Sequence, residues 1–214
     1  MHRLLIILVL FLVTTPSAAQ RSQARMLIGI SGYTLAGDGV DEADFIYRLA
    51  GGAGLSYELL PLLSVRTELR YTIQGGRMNG TVDGAIEGEP TAIPVEATFD
   101  LTYLEIPVLL VLGLDLVNNH RLEIGVGPGV GLKVDTRTSF AAATGPEFSQ
   151  ALDAPGRTTA FTFAVDYSFR MGSERVILGL RGWRSRTKAG LETTVPGTED
   201  VYTQGLSFLT GLTF

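Results

Sequence analysis

The sequence predicts an all-β fold, an eight-stranded antiparallel transmembrane up-and-down β-barrel. Three observations predict it. Apolar residues recur with a period of two in eight segments rich in β-branched and aromatic side chains. The connections between these segments alternate between long and short. In one segment the face opposite the apolar one carries glycines at alternate positions, and in others it carries charges.

The chain has 214 residues, 45% of them hydrophobic and 18% charged, which suits one domain with a sizeable apolar surface. Residues 1–19 read as a cleaved secretory signal peptide. Arg3 precedes an apolar run from Leu4 to Val13, then come Pro16 and the small residues Ser17, Ala18 and Ala19. Ten apolar residues fall well short of the roughly 20 that a helix needs to span a bilayer. Residues 20–214 are expected to form the barrel domain. The chain has no cysteine, which excludes a disulfide framework and a lipid-anchored cysteine. Its net charge of −5 becomes −6 when Arg3 leaves with the leader, and no basic surface for nucleic acid is expected.

The eight segments are, in order, residues 25–33, 46–57, 64–74, 99–112, 121–134, 158–170, 175–186 and 201–214. In the third, Val65, Leu69, Tyr71 and Ile73 oppose Arg66, Glu68, Arg70 and Gln74. In the fifth, Leu122, Ile124, Val126, Val130 and Leu132 oppose Arg121, Glu123, Lys133 and the glycines 125, 127, 129 and 131. In the sixth, Phe161, Phe163, Val165, Tyr167 and Phe169 oppose Thr162, Ala164, Asp166, Ser168 and Arg170. Connections 34–45, 75–98, 135–157 and 187–200 are long, whereas "ELLPLL", "GLDLVNNH" and "MGSE" are short.

A period of two does not say which face points out, because a soluble lipocalin-like barrel would turn its apolar face inward. The glycines decide it. A crowded eight-stranded interior needs them, and a solvated outer face does not. The apolar face therefore points to lipid.

The last segment, "VYTQGLSFLTGLTF", puts Tyr202, Leu206, Phe208, Leu212 and Phe214 on one face and ends on an aromatic. It resembles the terminal signal that outer-membrane barrels present to the barrel-assembly machinery. "YLEIPVLL", a short turn and "GVGPGVGLKV" resemble the small outer-membrane β-barrel domain family, labelled porin-like or PorT-like, with OmpA-type and OmpX-type eight-stranded barrels. The resemblance spans the mature chain. It implies the outer membrane of a Gram-negative envelope, contact with membrane lipid and lipopolysaccharide, and no cofactor.

"LTYLEIPVLLVLGL" at 101–114 places Glu105 on the lumen face, with Leu104, Ile106, Val108 and Leu110 toward lipid. Upstream, Phe99, Leu101 and Tyr103 read as outward, so a parity slip and a β-bulge are expected between Tyr103 and Leu104. With the turn centred near Val117, Pro107 would sit almost opposite Pro128, and a local break in pairing is expected there. An isolated buried carboxylate is very costly. A lumen charge network of Arg66, Glu68, Arg70, Glu105, Arg121, Glu123, Lys133, Asp166, Arg170 and Arg181 is therefore expected. A salt-bridge ladder filling the lumen and a charge-lined ion path both fit these residues.

The long connections hold fourteen acids against four bases. "GDGVDEAD" lacks calcium-loop spacing, so no metal site is expected. In "RGWRSRTK", Arg184 and Arg186 share the lipid-facing parity, and with Lys188 they form a candidate rim for lipopolysaccharide phosphates. Simple interfacial snorkelling fits them equally. Tyr57, Tyr71, Tyr103, Phe169, Tyr202 and Phe214 are expected in the aromatic girdles, and Trp183 on the lumen side.

Outside the leader the one histidine is His120, in a short turn. Without a cysteine or a G-x-S-x-G elbow, catalysis has no support, and no catalytic residue is assigned. The expected role is structural or adhesive, through acidic outer loops whose ligand the sequence does not name. A small-solute or ion channel and a component of an export or assembly complex are the alternatives.

Overall fold

Alternating side chains become strands here because each strand separates two environments. The computed structural model describes residues 22–37, 40, 43–86, 89–142, 148–150, 154–189 and 200–214. The predicted signal peptide lies outside the described residues. The strands are β1 (Ser22–Gly37), β2 (Ile46–Leu60), β3 (Leu63–Ile86), β4 (Glu89–Asp115), β5 (His120–Ala142), β6 (Phe148–Gln150), β7 (Arg157–Met171), β8 (Glu174–Ser185) and β9 (Val201–Thr213). Eight of them close an antiparallel ring in the order β1-β2-β3-β4-β5-β7-β8-β9 and back to β1, while β6 adds to β5 alone. The seam is in register from Gly37↔Val201 to Arg25↔Thr213, and Ala24 and Phe214 extend it by exchanging backbone hydrogen bonds of 3.2 and 2.9 Å.

The turns at 61–62, 116–119 and 172–173 all lie at one end. In the second, Asn118 and Asn119 take φ near +62° and +63°, a region that asparagine tolerates well among residues other than glycine.

The wall is apolar and the inside polar. Met26, Ile28, Ile30, Leu49, Leu69, Phe161 and Phe208 are exposed, whereas Arg25, Arg66, Arg70 and Arg181 are buried. That is the inverse of a water-soluble barrel, and it is stable only with lipid around it.

The structure corrects the strand reading at the outer end. Residues 75–98 are almost entirely strand. β3 and β4 stay paired to Ile86↔Glu89, and β4 and β5 pair out to Val95↔Ala142. With β6 they make a sheet that continues past the rest of the ring. The stretch is rich in glycine and carries Pro90 and Pro94, which read as loop signals and hid it from the pattern. On its other edge β3 pairs with β2 only up to Gly51↔Tyr71, apart from an isolated bridge Asp44↔Arg77.

A second correction concerns parity. Phe99, Leu101 and Tyr103 are buried inside with Glu105, Leu109 and Val111, so β4 keeps one parity throughout. The slip lies on β5: Thr102 faces Asp135 and Tyr103 faces Lys133, which leaves Val134 without a partner on β4. Beyond this bulge the inward parity of β5 changes from odd to even, and Thr138 is buried. Tyr103 accordingly leaves the aromatic girdle for the core. Pro107 faces Gly129 rather than Pro128, and the pairing lapses from there to Leu110↔Val126. At this level a Cβ on Gly127 would stand 2.0 Å from the Val108 carbonyl oxygen, so the strands approach too closely for a side chain.

Candidate functional site

The interior is built in layers. Nearest the short turns, Arg121 is half-buried and pairs with Asp115 and Glu123, each at 3.1 Å. Above it, Arg25 lies 3.0 Å from Asp166 and 3.3 Å from Glu123, and donates to Ser56 Oγ. Arg66 also pairs with Asp166 and Glu123. Arg181 grips Glu68 with two hydrogen bonds, Nη2 to Oε1 at 2.8 Å and Nε to Oε2 at 3.1 Å, and donates to Asp166 as well. Such forked contacts suit guanidinium geometry.

Glu105 occupies the next layer and is fully buried. Its Oε1 accepts from Tyr33 Oη, Thr72 Oγ1 and Gln74 Nε2, each at 2.8 Å, and its Oε2 is 2.7 Å from Arg70 Nη2. Thr203 donates to the Gln74 carbonyl oxygen and so orients that amide. Four buried guanidiniums, Arg25, Arg66, Arg70 and Arg181, thus meet four buried carboxylates, Glu68, Glu105, Glu123 and Asp166. Charge balance and close pairing make their burial tolerable. An apolar layer of Leu35, Val40, Phe99, Leu101, Tyr103 and Val201 closes the outer side.

Parity brought most of the predicted set together, with differences at the ends of the strands. Arg170 shares the inward parity but is exposed beside the 172–173 turn, outside the network. Lys133 sits at the opposite end and donates to the Ala154 carbonyl at 2.6 Å, with no carboxylate in reach among the described residues. Arg25 was missed. Its position at the start of the first predicted strand, with the same parity as the inward Leu27 and Tyr33, was the available signal.

At the outer rim, Arg184 and Arg186 are exposed, and Lys188 pairs with Asp200 at 2.7 Å. Trp183 is buried in the lumen against Gly129, where a Cβ would come within 2.7 Å of the indole ring. His120 begins β5 at the short-turn end, stacked on Tyr167 with its Nδ1 hydrogen-bonded to the phenol. Phe214 is exposed at that same end.

The outer membrane protein beta-barrel domain family matches residues 18–154. Among solved structures, the chain is similar to Neisserial surface protein A, with 10% identity over 90% of this chain and 95% of that one and a TM-score of 0.50. It is also similar to Ail of Yersinia pestis, with 13% identity over 91% and 99% and a TM-score of 0.43. OprG of Pseudomonas aeruginosa is 8% identical over 91% and 96%, with a TM-score of 0.44. These likenesses concern the fold. No curated protein sequence matches the chain.

Proposed function

Since the chain belongs to the outer membrane β-barrel domain family and resides in the outer membrane, we propose that it is a surface binding or adhesive protein acting through its outer sheet and acidic loops. The observation that carries this reading is the β3–β4–β5–β6 sheet standing past the ring. Beyond the Asp44↔Arg77 bridge, no described strand covers the outer edge of β3. An uncovered edge offers backbone donors and acceptors to an incoming extended segment. The interior offers a solute little in comparison, because its charges are paired and capped by the Phe99, Leu101 and Tyr103 layer. Outer-leaflet lipid and the barrel-assembly machinery, the latter meeting the exposed Phe214, complete the proposed partners.

The test replaces residues 80–95 with a two-residue Asn-Gly turn. Cells displaying the full or shortened protein are scored for mutual aggregation and for adhesion to protein-coated surfaces. Loss of adhesion with an intact barrel is expected. Equal adhesion by both forms would overturn the reading.

A further inference from the structure

The lipid-facing wall carries a concavity that the charge network and the outer sheet do not use. Along the outward face of β8, Val176, Leu178, Leu180 and Gly182 give way abruptly to Arg184 and Arg186. At the same level β9 turns polar with Gln204, the cross-strand partner of Arg184 and of Thr34, while β7 still presents the exposed Phe161 beside Arg184. On β8 and β9 this level marks the outer boundary of the apolar band.

Directly beneath it, five strands place Tyr47, Gly32, Leu206, Gly182 and Phe163 side by side. Aromatic rings cover both glycines: the Phe163 ring lies over Gly182, where a Cβ would stand 1.8 Å from Cε1, and the Tyr47 ring over Gly32, at 2.9 Å. Beside them runs a groove of about 400 Å³, walled by Phe45, Phe161, Phe163 and Leu206 and ending at Arg184. On the other side of Arg184 lies a smaller recess of about 240 Å³ lined by Ala36, Gly37 and the polar residues Asp200, Tyr202 and Gln204.

Arg184 is exposed, and among the described residues no hydrogen bond or ion pair holds its guanidinium. Lys188, by contrast, is taken by Asp200. An apolar groove, an unengaged guanidinium at its mouth and a polar recess beyond it follow the order of an acyl chain, a phosphate and a hydroxyl-rich headgroup. We propose that this wall binds one phosphorylated glycolipid of the outer leaflet, with an acyl chain along the groove between Phe163, Phe45 and Leu206 and a phosphate on Arg184. Arginine matches phosphate oxygens with two parallel donors, which a merely snorkelling cation does not need. The site is separate from the outer sheet and stands or falls independently of the adhesive reading.

Native mass spectrometry of the detergent-purified barrel, titrated with lipid A, with lipid A stripped of its phosphates and with phosphatidylglycerol, tests it. One retained lipid A per barrel is expected. Removing the phosphates, or substituting Arg184→Gln, should weaken retention about tenfold, as loss of a charge-assisted contact does. Arg186→Gln, one step further from the groove, should change it much less. Gly182→Ala forces the Phe163 ring toward the groove and should weaken both glycolipids equally. Retention indifferent to phosphate and to Arg184 would overturn the proposal. So would equal retention of phosphatidylglycerol or equal losses from Arg184→Gln and Arg186→Gln, which would mean ordinary annular lipid.

Discussion

Arg70 and Glu105 are direct cross-strand partners on β3 and β4, and Arg70 Nη2 lies 2.7 Å from Glu105 Oε2 inside a closed interior. The other carboxylate oxygen accepts from Tyr33, Thr72 and Gln74. A carboxylate in the middle of a very apolar run is thus accommodated by one guanidinium and three neutral donors gathered from two strands.

Glu105→Gln is expected to destabilise the barrel by about 3–5 kcal/mol, because it leaves the Arg70 charge buried without its closest partner. Adding Arg70→Met should recover most of that loss, since the orphaned charge is then gone. Urea unfolding in micelles reads both variants. A double variant no more stable than the single one would show that Arg70 is held mainly by Glu68, 3.8 Å away.

Planar-bilayer recordings of the refolded wild type should be silent. Glu68, Arg70 and Glu105 are at most 2% exposed, and Phe99 and Leu101 above them are fully buried. Stable ion-selective conductance that shifts with Glu105→Gln would instead make the interior a path.

Gly129→Val should cost about 1–3 kcal/mol by overpacking, because its first carbon already meets the Trp183 ring at 2.7 Å. Pairing it with Trp183→Leu should restore part of the loss. Unfolding midpoints of the two variants provide the check, and an unchanged midpoint for Gly129→Val would show that the ring moves aside freely.

Deleting Val134 removes the unpaired residue of the β5 bulge. Lys133, opposite Tyr103, is then joined directly to Asp135, opposite Thr102, so the β4–β5 ladder becomes regular and Thr138 stays inward opposite Phe99. Limited proteolysis of the folded variant should therefore leave the outer sheet as intact as in the wild type. New cleavage between Thr136 and Ala142 would show that the twist of the bulge is needed to hold the outer sheet.

The strand alternation, the lipid-facing side and most inward charges were readable, because side-chain direction along a strand is a local property of two-residue geometry. The Phe99, Leu101 and Tyr103 set was misread for an equally local reason. Apolar residues suit both a lipid-facing wall and an apolar internal layer, and only the neighbours across the lumen distinguish them.

From its own residues the sequence determined a barrel with an apolar outside, a charged inside and short turns at one end. The tertiary structure alone decided which charges meet and at what depth. Arg25 reaches Asp166 across 141 residues of chain, while Arg170, with the same inward parity as Asp166, is left at the rim. Depth and partnership follow from the stagger of all eight strands around the closed ring, and that stagger is fixed by pairings between distant segments rather than by any one of them.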